Sequence, residues 1–492
     1  MAFITSALPV ITTYMEVYSM SSSSKARQRI ESLLDGNSFV EVGALVTARA
    51  TNFNLKPEKT PSDGVITGYG TIGGNLVFVY SQDASVLGGS IGEMHARKIS
   101  DLYNLALKMG APVIGLLDSA GFRLQEGIDA LGAFGTIYAQ QAKASGVIPQ
   151  IAAVFGSCGG GLSLIPGMSD FAFMAKDAKL FVNSPNALPG NSQDKNDTSG
   201  AAAKAKSGNV DAIGDEDEVL GMIRDLVALL PSNNEDEAVC ECEDDLNRES
   251  AAVAAGIADP SVTAADLSDA GVFFETKKEY AKEMATGFIR LNGATVGVVA
   301  NRSAVYDEKG EAAEEFEASL TAQGAEKAAR FVTFCDAFEI PVITLTNVNG
   351  FRACECNEKR IAGAAASLAA AFAGATVPKV NVIVGSAVGS AYNVMNSKAL
   401  GADITIALPT AKVGVMDAAL AATILAAGKD ADAVRSAAEE YAQLQNGIES
   451  AASHGYIDQI VEAGELRKYL IGALEMLYTK REDVPSRKHA SV

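Results

Sequence analysis

The chain has 492 residues, of which 48% are apolar, and a formal net charge of −20. That length is too great for one hydrophobic core and fits two domains of about 200 residues each. The acidic balance argues against nucleic acid or an anionic membrane as partner, and no apolar run reaches the roughly 18–20 residues that span a bilayer.

Residues 1–24 read as an N-terminal extension; they are mildly apolar but lack a basic start, which argues against a secretory signal. Ser24 to Leu34 follows as a helix, with Ser24 as cap, Ile30, Leu33 and Leu34 on one face, and Asp35-Gly36 as the stop. Leu76–Tyr80 is a compact strand, and Ile99, Leu102, Ala106 and Met109 form one helical stripe. Continuous apolar strands are expected at Val113–Leu117 and Ile151–Phe155, bounded by Pro and Gly as in sheets buried on both faces.

The same order then returns. Ala111-Pro-Val-Ile-Gly-Leu-Leu-Asp-Ser-Ala-Gly-Phe-Arg123 is echoed by Ile340-Pro-Val-Ile-Thr-Leu-Thr-Asn-Val-Asn-Gly-Phe-Arg352. Val147-Ile-Pro-Gln-Ile-Ala-Ala-Val-Phe-Gly-Ser157 is echoed by Thr376-Val-Pro-Lys-Val-Asn-Val-Ile-Val-Gly-Ser386, at the same shift of 229. The stripe returns as Ala328, Phe331, Cys335 and Phe338, and the strands as Val342–Leu345 and Val380–Val384. Beyond Thr410 the shift is 233, so the second copy has gained about four residues, which we place in a longer helix from Ala391 to Leu400. A period this long means domain duplication rather than a solenoid, and strand–helix–strand order at this spacing means α/β layers. The expected division is 25–232, an acidic linker over 233–262, and 263–492. The polar stretch Pro185–Gly208 reads as a flap or a plain surface loop.

Each copy sets a glycine-rich turn directly after a buried strand: Gly156-Ser-Cys-Gly-Gly-Gly-Leu-Ser-Leu164 and Gly385-Ser-Ala-Val-Gly-Ser-Ala-Tyr-Asn393. Such a turn leaves backbone N–H groups uncovered at a helix start, where they favour negative charge. A carbonyl oxygen seated there would be stabilised as its α-carbon loses a proton or CO2; close packing of small residues is the competing reading. No dinucleotide fingerprint, phosphate-binding Gly-Lys loop or Gly-x-Ser-x-Gly elbow is present. Cys158 has Ala387 at the matching place and no nearby histidine, so a small buried hydrophobe is expected rather than a nucleophile. The two Cys-Glu-Cys triplets, Cys240/Cys242 and Cys354/Cys356, are spaced more tightly than zinc ligands. They read as exposed thiols, and no metal is expected.

These residues resemble the carboxyltransferase subunits of biotin-dependent acyl-CoA carboxylases, such as the propionyl-CoA carboxylase β subunit, and equally the α subunits of biotin-dependent acyl-CoA decarboxylases. The likeness runs from about Lys25 to Lys488 and rests on several ordered segments, among them Lys59–Gly68, Ser81–Ser90, Asp118–Gly127, Gly389–Lys398 and Gly455–Asp458. It implies two tandem crotonase-like (ββα spiral) domains, acyl-CoA on the first and biotin on the second. It implies sites formed where unlike halves of two subunits meet, in a homohexamer. Gly160 and Gly161 would hold the thioester oxygen, and Ser390 and Ala391 the biotin ureido oxygen. Gly88, Gly89, Ser90, Ala120, Gly121, Gly156 and Cys158 would fall along the CoA side, and Gly389 and Asn393 on the biotin and acyl-selecting side. A carboxyl group would move between biotin and the α-carbon of a short acyl-CoA through enolates held in two backbone oxyanion holes.

No biotinylation hairpin is present; Ala106-Leu-Lys-Met109 lies in a helical pattern, so biotin would arrive on a separate carrier protein. The implied partners are that biotin carboxyl carrier protein, with a biotin carboxylase subunit or a membrane decarboxylase β subunit. The implied location is cytoplasmic, or peripheral at the inner membrane through a partner. Departures gather on the biotin side: Asn347-Val-Asn-Gly-Phe351 where the family carries Asp-x-Pro-Gly-Phe, Gly389-Ser390 for a Gly-Gly pair, and Asn393 for an Asp. Gly363, Ala364, Ser367, Gly385 and Ser386 stand where basic residues are common. Two alternatives stay open: a degenerate assembly subunit, and a biotin-independent hydratase or isomerase drawing on Glu126 and Glu93.

Overall fold

A computed structural model describes residues 24–49, 51, 60–184, 197–269, 271–306, 311–482 and 485. The N-terminal extension before Ser24, Lys59 and the part of the expected flap at 185–196 lie outside the described residues. The chain divides into two units, one ending at Asp236 and one beginning at Glu237.

In the first unit, α1 (Lys25–Leu33) starts at Ser24, whose hydroxyl accepts from the Arg27 N–H, and buries Ile30 and Leu33. Eight strands follow: β1 (Val40–Val42), β2 (Val65–Ile72), β3 (Asn75–Gln82), β4 (Val113–Ser119), β5 (Gln150–Gly159), β6 (Phe171–Ala175), β7 (Lys179–Phe181) and β8 (Ala212–Gly214). They form one sheet in the order β1-β2-β3-β4-β5-β6-β8, with β7 beside β5. The hairpin β2–β3 is antiparallel, and β3 to β6 run parallel. The crossovers are α2 (Glu93–Met109), α3 (Ile128–Ala144) and the short α4 (Leu164–Met168); α5 (Ala201–Lys206) and α6 (Glu216–Leu229) complete the unit. Thus residues 201–206, expected within the flap, are a helix that buries Ala201 and Ala205. On α2 the predicted stripe buries Ile99, Leu102 and Ala106, whereas Met109 at the last turn is exposed.

The second unit repeats this plan. Its strands are β9 (Phe274–Thr276), β10 (Met284–Leu291), β11 (Ala294–Asn301), β12 (Ala304–Tyr306), β13 (Ala312–Glu315), β14 (Val342–Val348), β15 (Lys379–Val388), β16 (Ile404–Ala407), β17 (Lys412–Gly414) and β18 (Gln459–Ile460). The sheet order is β9-β10-β11-β14-β15-β16-β18, with β17 beside β15, the first sheet's order again; β12–β13 is an added ribbon. The helices are α7 (Ala251–Ala254), α8 (Pro260–Leu267), α9 (Ala322–Ala337), α10 (Glu355–Glu358), α11 (Ile361–Gly374), α12 (Gly389–Asn393), α13 (Ala418–Leu425), α14 (Ala431–Gln445), α15 (Ile448–Ser453) and α16 (Leu466–Leu477). One sheet face packs Ile289, Val296, Val298 and Leu345 against Leu267 of α8 and Leu470 of α16. Within 233–262, the Cys240 N–H donates to Gly293 O at 3.0 Å and the N–H of the buried Ser250 donates to Gly464 O at 2.8 Å, so both residues are tied to this unit.

Two further features depart from the sequence reading. The single helix expected over Ala391–Leu400 does not form. The helix stops at Asn393, and Asn396 takes φ 57°, with its amide donating to Thr344 Oγ1 at 3.1 Å. The strands read as apolar runs also carry a buried polar row. Thr344 on β14, Asn381 on β15 and Thr405 on β16 are register partners across three parallel strands, all fully buried. Thr344 and Thr346 both donate to Asn381 Oδ1, at 3.1 and 2.8 Å, while Thr405 Oγ1 has no partner. The first copy has Gly115, Ala152 and Ala172 at the matching register.

Candidate active site

The geometry at the end of β5 follows from its glycines. Gly160 takes φ 60°, a left-handed value that favours glycine, and starts a single helical turn, Gly160–Ser163. The first N–H groups of such a turn have no acceptor within it. A Cβ at Gly160 would meet nothing within 4 Å, so the space over the turn is open. The far side is packed and pinned. Tyr138 OH donates to Gly161 O at 2.6 Å, and Ser163 Oγ donates to Gly160 O at 2.7 Å. A Cβ at Gly161 would come 2.9 Å from Tyr138 OH and 3.5 Å from the Phe122 ring. A Cβ at Gly156 would fall inside the Asp118 carboxylate, whose other oxygen accepts from Arg29 Nη1 at 3.1 Å.

The other first-half residues gather at this turn. Gly88 and Gly89 have φ of 64° and 63°, and Gly121 has φ of 92°. Ala120 N–H donates to Gly88 O at 2.9 Å, and Ile91 N–H to Gly121 O at 2.8 Å, which zips the two segments together. A Cβ at Gly121 would lie 3.7 Å from Gly159 O. Gly88 thus packs on Ala120, and the buried Gly121 on Gly159 at the end of β5. Cys158 points the other way: its side chain is wholly buried, and burial pushes the thiol far above its ordinary range, so it is no nucleophile.

The second unit rebuilds the same turn. Gly389 has φ 65° and starts α12. Asn347 occupies the place of Asp118: its Oδ1 accepts from Ser386 N–H at 2.9 Å and would be 2.5 Å from a Cβ at Gly385. Leu320 N–H donates to Gly350 O at 2.9 Å, matching Ile91 to Gly121. Ser390 and Asn393 are exposed, and Ala391 is buried. Ser390, like Gly161, is not among the positive-φ residues, so its side chain costs no backbone strain. The left-handed position is Gly389, which has stayed glycine.

A buried charge cluster under the first-half loops was not foreseen. Arg123 is wholly buried and donates to Asp63 Oδ1 at 2.5 Å, Glu126 Oε1 at 2.9 Å and Ser90 O at 2.6 Å. Glu126 Oε2 accepts from the Glu93 N–H at 2.7 Å and so caps α2. Asp63 has φ 50° and a carboxyl pushed up to about 6, by desolvation first and by the Glu126 charge, against the pull of Arg123. His95 Nδ1 meets Asp63 O at 3.0 Å, and burial holds its pKa well below the ordinary value. With Glu126 committed to Arg123 and the cap, and Glu93 in an exposed pair with Arg49, the hydratase alternative loses its acid–base pair. The echo Arg352 misleads: it is exposed, and Asn357 replaces Glu126 as the cap of α9, accepting from Ala322 N–H at 2.7 Å. A usable signal did exist in Lys98 and Lys327, matched at the 229 shift. Each is buried and donates to the carbonyls of a left-handed loop, and burial lowers them to about 8 and about 7.

Among the described residues there is no cluster of His, Cys, Asp and Glu able to hold a metal ion, and no helix is long and apolar enough to cross a membrane. Comparison with known proteins agrees with the fold. Residues 21–492 match the carboxyl transferase domain family. The chain is 40% identical to the propionyl-CoA carboxylase beta chain of Roseobacter denitrificans, over 95% of this chain and 93% of that one. It is 37% identical to the methylmalonyl-CoA decarboxylase subunit alpha of Veillonella parvula, over 95% and 92%. The solved transcarboxylase 12S hexamer with hydrolysed methylmalonyl-coenzyme A superposes with a TM-score of 0.88 at 35% identity, covering 98% of this chain and 94% of that one. Two tandem crotonase-like units with matching glycine turns thus make this chain a member of the carboxyl transferase family, an acyl-CoA carboxyltransferase of the biotin-dependent carboxylases and decarboxylases.

Proposed function

We propose that the chain moves a carboxyl group between biotin on a separate carrier protein and the α-carbon of a short acyl-CoA, in either direction. The observation that carries this reading is the pair of left-handed turns at Gly160 and Gly389, one per unit, each opening a helix toward free space or an exposed residue. An acyl thioester whose α-carbon gains or loses a carboxyl group passes through an enolate, and preorganised N–H donors are what that oxygen needs. Gly160 and Gly161 take that role, with Tyr138 and Ser163 fixing the carbonyls behind them. The zipped segments of Gly88, Gly89, Ser90, Ala120 and Gly121 run alongside as the CoA surface. Ser390 and Ala391 hold the ureido oxygen, and Asn393, exposed at the end of α12, borders the acyl group. Biotin, when bound, supplies the carboxyl group and the base; the chain's part is to hold, orient and neutralise charge.

The curated relatives' names point to an acyl group of propionyl or methylmalonyl size. The solved relative is a hexamer, and exposed apolar side chains on both units (Leu124, Ile128 and Leu131; Leu420, Ile424 and Leu425) suit burial between copies of this chain. Partners are a biotin carboxyl carrier protein, with a biotin carboxylase subunit or a membrane decarboxylase subunit, in the cytoplasm or at the membrane face. The deciding experiment is steady-state decarboxylation of malonyl-, methylmalonyl- and glutaconyl-CoA with a biotinylated carrier protein. Turnover with at least one supports the reading; none with all three, from a correctly assembled protein, returns the degenerate-subunit alternative.

A further inference from the structure

The two Cys-Glu-Cys triplets have the same sequence and different geometry. Cys240 Sγ accepts from Arg290 Nη1 at 2.9 Å, and Cys242 Sγ contacts Asp244 O at 3.9 Å, so each sulfur is turned to another partner. Cys354 Sγ and Cys356 Sγ instead face each other at 3.0 Å. Glu355 between them swings outward, with a side chain 85% exposed and paired to Lys359, so nothing separates the sulfurs. Cys356 is exposed and Cys354 half-buried, which leaves the pair open to small solutes. The backbone is held independently. Asn357 is buried, donates to Arg352 O at 2.8 Å, and accepts from Ala322 N–H. A disulfide bond is about 2.05 Å, about 1 Å shorter than this separation.

We propose that Cys354 and Cys356 form a dithiol site that a hydroperoxide oxidises reversibly to a disulfide. The Cys354 sulfur attacks one peroxide oxygen, the O–O bond breaks, and the departing hydroxide takes a proton, leaving a sulfenic acid and water. The Cys356 sulfur then attacks the Cys354 sulfur and expels hydroxide, which leaves as water with the Cys356 proton. Two thiols lose two electrons to one peroxide, giving one disulfide and two waters. A thiol reductant reverses this through a mixed disulfide. The two sulfurs share one hydrogen bond, in which either thiol can be the donor; it lowers the pKa of Cys354 and raises that of Cys356.

The test uses the full chain, reduced, treated with equimolar hydrogen peroxide, alkylated and digested for mass spectrometry. The peptide bearing Cys354 and Cys356 should lose about 2 Da, the two thiol hydrogens, escape alkylation, and recover both thiols with dithiothreitol. The Cys240–Cys242 peptide should stay alkylated. Cys356→Ser should stall at a Cys354 sulfenic acid trapped by dimedone, and Cys354→Ser should slow oxidation by about tenfold or more. Free thiols at 354 and 356, oxidation no faster than at Cys240 and Cys242, or passage straight to sulfinic acid in the unaltered chain would each overturn it. None of these readouts depends on carboxyl transfer.

Discussion

Replacing Asp63 with Asn should alter how stability depends on pH. Asp63 and Glu126 share one buried guanidinium, Arg123, and all three side chains are wholly excluded from water. One guanidinium does not neutralise two desolvated carboxylates, and Asp63 Oδ2 has no hydrogen-bond partner. The Asp63 carboxyl accordingly sits at about 6 in the folded chain, against about 3.9 in an unfolded one. The folded state therefore binds the proton more tightly. The resulting stability is fully present below the unfolded value and is lost as pH rises through 6. The chain's pI near 4.7 makes pH 5 the practical lower limit. Between pH 7.5 and pH 5 the linkage amounts to about 1.4 kcal/mol, or about 3–5 °C in Tm for a unit of this size. The Asp63→Asn side chain keeps the shape and an acceptor for Arg123 but does not titrate. Thermal scans of both proteins at the two pH values should show Asp63→Asn more favourable at pH 7.5 than at pH 5 by that amount. A Tm difference that stays the same within about 1 °C refutes the shared-guanidinium account.

Gly156→Ala should destabilise the first unit by about 1–3 kcal/mol, because the new methyl displaces the Asp118 carboxylate and its Arg29 pair. Gly156→Ala with Asp118→Ala should recover part of that loss in a denaturant double-mutant cycle, where strict additivity would count against the packing. Thr405→Val should raise Tm, since it removes a buried hydroxyl with no partner worth about 1–3 kcal/mol; a lowered Tm means that hydroxyl is satisfied in solution. Tyr138→Phe frees the Gly161 carbonyl. It should lower kcat several-fold, with KM for acyl-CoA little changed, in steady-state decarboxylation, and a pure KM effect would remove Tyr138 from the turn.

The duplicated turns were legible in the sequence because their cause is local. A left-handed φ favours glycine, so Gly160 and Gly389 stand at matched positions, while Gly161 could become Ser390 where φ is ordinary. The crossover helices and central strands were legible for the same reason, as period and punctuation. What sequence hid depends on distant partners. Asp63 and Arg123 meet across sixty positions, and the echo at Arg352 suggested an equivalence that burial does not support. Asn396 pairs with Thr344, and Asn381, inside the apolar run expected over Val380–Val384, takes two threonine donors from the neighbouring strand.

The most direct test of two backbone cradles is Gly160→Pro, which removes an N–H and cannot adopt φ of 60°. Methylmalonyl-CoA decarboxylation with biotinylated carrier should fall by about a hundredfold or more, the effect of losing one donor worth about 3 kcal/mol, while circular dichroism and oligomeric state match the unaltered chain. A folded, assembled Gly160→Pro protein that keeps turnover within about twofold, well under 1 kcal/mol, would contradict the account.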